Sequence, residues 1–381
     1  MMRMGNEAQA RMATLESSQQ DVSAQGTMIH SVEIRWFRCF REARVEGLRR
    51  INVIVGGSGS GKTAFLEALF ICAGMGAHFF LRAQAWRGLA EPAPTRLRMD
   101  DRSFRDIWKE MFFNFDDSEE ISITFSVGAR NDRRLKVHYD PSEEARKVIL
   151  ASTGEKALSM VVPLVFEGQS ESGTPFRGPV AMTADGSIPL PQFVEPYPLT
   201  FLTPAALVSS QHNAARFSDL SKKQQHRPVV DAVRSLFPLV VDLSVEIQGG
   251  SNAIFASVRG LREKLYIGSL SAGVNKYMAV LLALAAHSEG AVAVDEIENG
   301  LYYKNLEGVW KSIAEFSRRM RTQLFATTHS LECLRAMLPA IAEAPGDFCL
   351  LRVERENGES QVRVFDGEHF EAALEENVEI R

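Results

Sequence analysis

The spacing of apolar and polar positions changes several times along the chain, and each change marks an element. Ile29 to Ile34 alternates, the period of a half-buried strand, and Ala43 to Glu46 is expected as its hairpin partner. Ile51 to Val55 is a short apolar run entering a glycine cluster, Gly56 to Gly61, and Ala64 to Ala73 then reads as a helix. From Leu81 to Asp106 the chain is arginine-rich, and irregular helices and loops are expected. Ile121 to Val127, Leu135 to Tyr139 and Met160 to Phe166 predict strands of an antiparallel β subdomain. Nine prolines lie from Pro141 to Pro204, which excludes a long coiled coil because each interior Pro costs about 3 kcal/mol in a helix.

The second half alternates helices and strands. Pro228 to Phe237 predicts a helix with its proline in the first turn, where no N–H is needed. Val240 to Gln248 and Ala253 to Arg259 predict strands, and Tyr277 to Ala286 a buried helix. Ala291 to Val294 is a hydrophobic strand ending at Asp295 and Glu296. An amphipathic helix, Leu306 to Arg319, leads to a strand, Gln323 to Ala326, that ends at Thr327, Thr328 and His329. Leu331 to Leu338 predicts a helix, and Phe348 to Glu354 with Gln361 to Phe365 a hairpin turning at Asn357-Gly358.

Composition narrows the classes. The 381 residues carry 43 Lys and Arg against 48 Asp and Glu, a net charge of −5, which excludes a histone-like polycation. Cys39, Cys72, Cys333 and Cys349 are widely separated, so no CxxC zinc or redox motif exists, and free thiols suit a reducing cytosol. No apolar run approaches the roughly 20 residues of a membrane-spanning helix. Residues 1–27 are polar, lack a signal-peptide core and are expected to be a disordered tail, with Met28 as a second candidate start. The expectation is a cytoplasmic protein without a membrane partner.

Four motifs carry chemistry. Gly56, Gly57, Ser58, Gly59, Ser60, Gly61, Lys62 and Thr63 fit the phosphate-binding loop G-x-x-x-x-G-K-[ST], in its strand–loop–helix context. Glycines let main-chain N–H groups close around phosphate oxygens, and the helix N-terminus adds its positive dipole end. Lys62 is expected to reach the β- and γ-phosphates of ATP, and Thr63 to offer its hydroxyl to Mg2+. Asp295 and Glu296 end a buried strand, where open α/β sheets bind ligands. Asp295 suits support of Mg2+, and Glu296 suits activation of the attacking water. Ser269-Leu270-Ser271-Ala272-Gly273 opens a helix and is a second candidate anion site, with an ordinary N-cap at Ser271 as the plainer alternative. His329 ends a strand one strand–helix–strand unit after Glu296, which puts both at one sheet edge.

In this order the motifs resemble those of the ABC-type ATPases. The similarity is to the soluble branch with the structural-maintenance-of-chromosomes (SMC) heads, RecF-like repair proteins and OLD-type defence ATPases. It is strongest to the small stand-alone prokaryotic AAA family ATPases near the OLD group, and covers Met28 onward. Ile34-Arg35-Trp36-Phe37-Arg38-Cys39-Phe40 resembles that branch's opening. The resemblance implies an α/β P-loop fold: a mixed sheet flanked by helices, an antiparallel β subdomain and an inserted helical/β part. It divides the chain into a tail (1–27), a first part of the ATPase core (28–110), an insertion (111–260) and a second part of the core (261–381). It makes Gly56 to Thr63 the Walker A loop and Asp295 and Glu296 the Walker B acids. Ser271 and Gly273 become the signature loop that grips ATP on an opposite subunit, Glu298 to Gly300 the D-loop, and His329 the γ-phosphate sensor. Arg38 matches an arginine near the nucleotide.

The implied activity is ATP hydrolysis with Mg2+ by a homodimer or higher assembly. It would control an effector such as a nuclease or toxin in antiphage defence, with RecF-type DNA repair as the alternative. Ser58 stands where the branch usually has Asn, and Leu-Ser-Ala-Gly-Val departs from Leu-Ser-Gly-Gly-Gln, which speaks against a transporter subunit. No N-K-x-D motif for guanine is present. Gln84 is a Q-loop candidate by position only. Asp366, Glu368, Glu371, Glu375, Glu376 and Glu379 read as a solvated acidic tail rather than a nuclease cluster. DNA remains a candidate partner through two arginine clusters, Arg35 to Arg50 and Arg82 to Arg105, diluted by nearby acids.

Overall fold

The computed structural model describes residues 27–88, 101–128, 131–153, 161–183, 188, 195–203, 210–287 and 289–375. The expected N-terminal tail (but for its last residue, Thr27), Arg96, Arg98, Met160, Glu376 and Glu379 lie outside them. Strands β1 (Ile29–Phe37), β2 (Phe40–Glu46) and β3 (Ile51–Val55) lead through the glycine loop into helix α1 (Lys62–Gly74). Helices α2 (Ala77–Trp86) and α3 (Asp101–Trp108) follow, then β4 (Ile121–Val127), β5 (Asn131–Tyr139), α4 (Glu143–Thr153), β6 (Leu164–Gln169), β7 (Pro175–Val180) and β8 (Leu199–Leu202). Next come α5 (Ser210–Lys222), α6 (Arg227–Leu236), β9 (Val240–Gln248), β10 (Ser251–Val258), β11 (Leu265–Tyr266) and, after a helical turn, α7 (Ala272–Ala286). The chain closes with β12 (Ala291–Val294), α8 (Leu306–Met320), β13 (Gln323–Thr327), α9 (Leu331–Arg335), α10 (Leu338–Glu343), β14 (Phe348–Glu356), β15 (Glu359–Asp366) and α11 (Gly367–Glu375).

The central sheet has the order β15-β14-β3-β13-β12-β8. Strands β14, β3, β13, β12 and β8 run parallel, while β15 returns antiparallel through Asn357 and Gly358, both at positive φ as a two-residue hairpin requires. Thr327 pairs with Ile54 and Val294 with Ala326, so the ends of β3, β13 and β12 emerge side by side. The second sheet is antiparallel, β2-β1-β4-β5-β6-β7. The strands expected as an antiparallel subdomain thus share one sheet with the N-terminal hairpin, and the third runs 164–169 rather than 160–166. A three-stranded sheet, β11-β10-β9, carries α5 and α6 on one side.

Side chains of the central sheet alternate between two cores. Val53, Val292, Val294, Leu324 and Leu350 face α5 to α8, whereas Ile54, Ala291, Ala293, Phe325 and Leu351 face α1 and the antiparallel sheet. Helix α1 lies between the two sheets and is buried all round, Thr63 excepted, as a helix apolar on every face must be. Each of Phe65, Leu66, Leu69 and Ile71 contributes on the order of 1.5–3 kcal/mol by burial.

One expectation needs correction. Leu331–Leu338 is not one helix: it ends at Arg335, and a new helix starts at Leu338, with Pro339 in the first turn, where a proline is tolerated. In the acidic C-terminal stretch Asp366 and Glu368 are exposed and Glu371 is partly so. The Asp366 carboxylate accepts the His369 N–H at 3.0 Å and caps α11, which buries Phe370 completely. Irregular helices and loops were expected between Leu81 and Asp106. The described residues there belong to α2, a turn at Arg87 and Gly88, and α3, and fully buried Phe80, Phe104 and Trp108 anchor the two helices.

Arg133 welds the layers. Fully buried, it donates from Nε to Cys72 O (3.0 Å), an orphan carbonyl of the last turn of α1, and from Nη2 to Glu195 O (3.0 Å), while Nη1 pairs with Glu171. Arg133→Met should therefore cost about 2–4 kcal/mol, because the buried Cys72 carbonyl and the Glu195 carbonyl lose their donor and Glu171 its counter-charge. Urea unfolding followed by circular dichroism reads this directly; an unchanged midpoint would mean the bonds do not hold the layers.

Candidate functional site

At its two ends, Gly56 and Gly61, the glycine loop is packed so closely that its neighbours leave no room for a side chain. Gly56 has φ 146°, and a Cβ there would sit 2.1 Å from Val353 O. Gly61 has φ 114°, and its Cβ would sit 2.6 Å from Cys39 Sγ. Strands β14 and β2 thus press on the loop from behind, and Ser360 Oγ donates to Ser60 O at 2.6 Å. The Lys62 ammonium, only 5% exposed, donates to Gly56 O (2.9 Å) and Gly57 O (2.8 Å). Burial lowers its pKa, against the opposing pull of Asp295, Glu296 and Glu298. The loop opens onto a cavity of about 520 Å³ lined by Gly57 to Ser60 and Val353 to Glu356.

The ends of β3, β12 and β13 bring the acids to this loop. Asp295 accepts from Thr63 Oγ1 at 3.0 and 3.3 Å and from Thr327 Oγ1 at 2.6 Å. A threonine hydroxyl and a carboxylate at this spacing are hard oxygen donors and fit a Mg2+ ion. Glu296 follows with φ 50°, the left-handed region. Its N–H donates to Thr327 Oγ1 (2.7 Å), its carbonyl accepts from Lys276 Nζ, and its carboxylate accepts from Asn299 Nδ2. His329 is exposed, and its main-chain N–H donates to Glu298 Oε1 at 2.8 Å.

Ser271 is on a different element, at the N-terminus of α7. It is exposed, extended, and caps α7 by accepting the Gly273 N–H at 3.2 Å. Gly273 backs directly onto the loop after Glu296: a Cβ there would lie 2.6 Å from Gly300 O. The small residues of this motif therefore serve close packing of the Ser271 loop on residues 298–300.

Some expected residues are engaged elsewhere. The Arg38 guanidinium pairs with Glu67 at 2.8 Å, between the rings of Phe37 and Phe80. It also borders a cavity of about 300 Å³ with Cys39, Phe113 and Arg355. Gln84 donates to Ile107 O at 3.1 Å and is spent on packing α2. In the arginine clusters, Arg35, Arg41, Arg44, Arg50, Arg87 and Arg105 all pair with acids. A larger cavity of about 1000 Å³, bordered by Arg227, Lys311 and Arg319, lies among the helices and holds none of the motif residues.

The motifs did not announce Lys276 or Glu67. Thr327 lay within the motif that ends at His329, but no role was read for its hydroxyl. Glu67 is buried and holds both Arg38 and Arg87, a pairing of distant segments that no local pattern encodes.

Comparison with known proteins agrees with this geometry. A family model described as "AAA domain, putative AbiEii toxin, Type IV TA system" matches residues 51–335. An ATP/GTP phosphatase of Helicobacter pylori is 21% identical over 339 residues, 83% of this chain and 89% of the relative. Among solved structures, an SMC head bound to the C-terminal winged-helix domain of ScpA has a TM-score of 0.50 at 15% identity. The match covers 89% of this chain and 97% of that one, and shows the ABC-type ATPase fold of SMC heads.

Thr327→Val keeps the shape of the side chain but removes both the donor to Asp295 and the acceptor of the Glu296 N–H. The expected loss is about 1–3 kcal/mol of stability, because a buried carboxylate and a main-chain donor are left short of partners. ATP turnover should fall with it, measured by phosphate release alongside thermal unfolding. A variant that matches the parent in both would remove Thr327 from the site.

Proposed function

Because the chain belongs to this AAA-domain family of P-loop ATPases, we propose that it is an ATP-driven switch. Two copies close on two ATP molecules, each held by the glycine loop of one copy and the Ser271 loop of the other. The observation that carries the reading is the division of the site. Lys62, Thr63, Asp295 and Glu296 converge within one protomer, while Ser271 faces outward on a helix N-terminus. Half of a phosphate site presented to solvent suits closure by a second copy.

Each side chain then has a role in phosphoryl transfer to water. The main-chain N–H groups of Gly56 to Gly61 and the start of α1 bind the phosphates. Lys62 exchanges its two carbonyl partners for β- and γ-phosphate oxygens. Thr63 and Asp295 would hold Mg2+, which when bound would neutralise charge on the phosphates. Glu296 orients the attacking water and takes its proton, and His329 hydrogen-bonds the γ-phosphate. Arg38, which borders a separate cavity with Arg355, is assigned to the nucleoside end. Ser271 and Gly273 bind the γ-phosphate across the seam, so binding favours the closed pair and hydrolysis releases it.

The output is proposed to be control of a partner effector, a nuclease or toxin, in antiphage defence. The naming of a toxin in the matched family's description supports this, as does the SMC head's capture of a partner protein domain. The paired state of the arginine clusters favours a protein partner over DNA.

A complementation experiment tests the shared site. Lys62→Ala should abolish ATP binding, and Ser271→Arg should block hydrolysis while leaving binding to the glycine loop. Neither alone should turn over ATP. Mixed, they should regain activity, because a heterodimer rebuilds one complete site from two damaged chains. No recovery on mixing, or full activity of Ser271→Arg alone, overturns the shared site. Independently, Glu296→Gln should accumulate an ATP-bound dimer, seen by light scattering; turnover at the parental rate would show that Glu296 is not the base.

A further inference from the structure

We propose that Lys276 is the positioning residue of Glu296: it ties the helix behind the Ser271 loop to the main chain of the residue that activates water. The inference rests on the reading of Glu296 as the general base. Glu296 is a non-glycine residue at φ 50°, a conformation that costs about 1–3 kcal/mol and persists only where neighbours over-determine it. Four contacts do so here. Thr327 Oγ1 accepts from the Glu296 N–H at 2.7 Å, and Thr327 O accepts from the Ile297 N–H, on the peptide that follows, at 3.0 Å. Glu296 O accepts from the Asn299 N–H at 3.0 Å and from Lys276 Nζ. Asn299 belongs to the loop itself, whereas Lys276 reaches that carbonyl from α7.

The setting of Lys276 sharpens the point. It is 6% exposed, although ammonium groups are costly to bury. Asp295, Glu296 and Glu298 face it and favour its charge, yet burial dominates and lowers its pKa to about 8. Such a group is placed where a long, charged donor is needed. Lys276 stands one turn after Gly273 on α7, so the two share a face of the helix. Gly273 abuts Gly300 O, and Lys276 bonds Glu296 O. Both ends of the loop 296–300 are thereby braced by one helix, whose N-terminus carries Ser271. A nucleotide engaging Ser271 from the other copy would shift that brace, and the aim of Glu296 with it. Each protomer's base would thus respond to the ATP held by its partner.

The alternative is a plain counter-charge for three acids, and it makes a different prediction. The test uses Lys276→Met in the full-length chain, with steady-state ATPase kinetics and a double-mutant cycle with Glu296→Gln. A misaimed base should lower kcat about 10- to 100-fold, as small displacements of reacting groups do, with KM for ATP within about threefold. The double variant should be no slower than Glu296→Gln alone, because a residue that acts through Glu296 has nothing left to position. Parental kcat, a loss confined to KM, or losses that multiply in the double variant would each overturn the proposal. Glu296→Gln turning over at the parental rate would instead remove the base assignment on which the proposal stands. If Lys276→Met does not fold, Lys276→Gln, with a shorter neutral donor, enters the same cycle with the same expected pattern.

Discussion

A carboxylate buried at a sheet edge sets the terms for this site. Asp295 is 9% exposed, and such a charge is tolerable only with donors around it. The donors come from two other strand ends: Thr63 beyond β3, and Thr327 on β13. Satisfying that one group therefore fastens the glycine loop, the acidic strand and the strand before His329 into a single unit. Thr327 then passes the constraint on, since the same hydroxyl accepts the Glu296 N–H. The parallel register of β3, β13 and β12 makes this geometry available, and the hydroxyl–carboxylate node holds it.

Around the node the molecule has one rigid side and one presenting side. Behind the glycine loop, β14, β2 and the hairpin residue Ser360 pack so closely that side chains at Gly56 and Gly61 have no space. Helix α1 is clamped between two sheets, and Arg133 closes its last turn. In front, Ser271, His329 and Asn299 are exposed on short connections. Rigid backing with exposed polar tips suits a nucleotide site completed from outside, because the preorganised half costs nothing to order at closure.

The links between these halves are few and specific. Lys276 reaches the Glu296 carbonyl, Gly273 meets Gly300, and Glu298 accepts from His329. Each of these contacts joins segments that are separate in the chain. That connectivity suits the proposed switch, because a bound γ-phosphate would meet loops that already touch one another.

Much of this was legible in the residues. Strand periods at Ile51–Val55 and Ala291–Val294, the glycine loop and the Asp295-Glu296 pair are local patterns, and local patterns need only neighbours in the chain to be read. Elements with weak or broken patterns were not legible. Helix α5 keeps a single stripe, Ala214, Phe217 and Leu220, among polar residues, and β8 is four residues squeezed between prolines and the chain beyond. Strand β7 carries Pro175 and Pro179, which an edge position tolerates. Residue types, motif order and strand polarity thus determined the fold class and the kind of chemistry. Which groups neutralise the buried charges was decided only by tertiary structure: Thr327 for Asp295, Glu67 for Arg38, Glu296 O for Lys276. Burial turns an unpaired charge from cheap to costly, and the partner that pays is chosen by proximity in space, about which spacing in the chain says nothing.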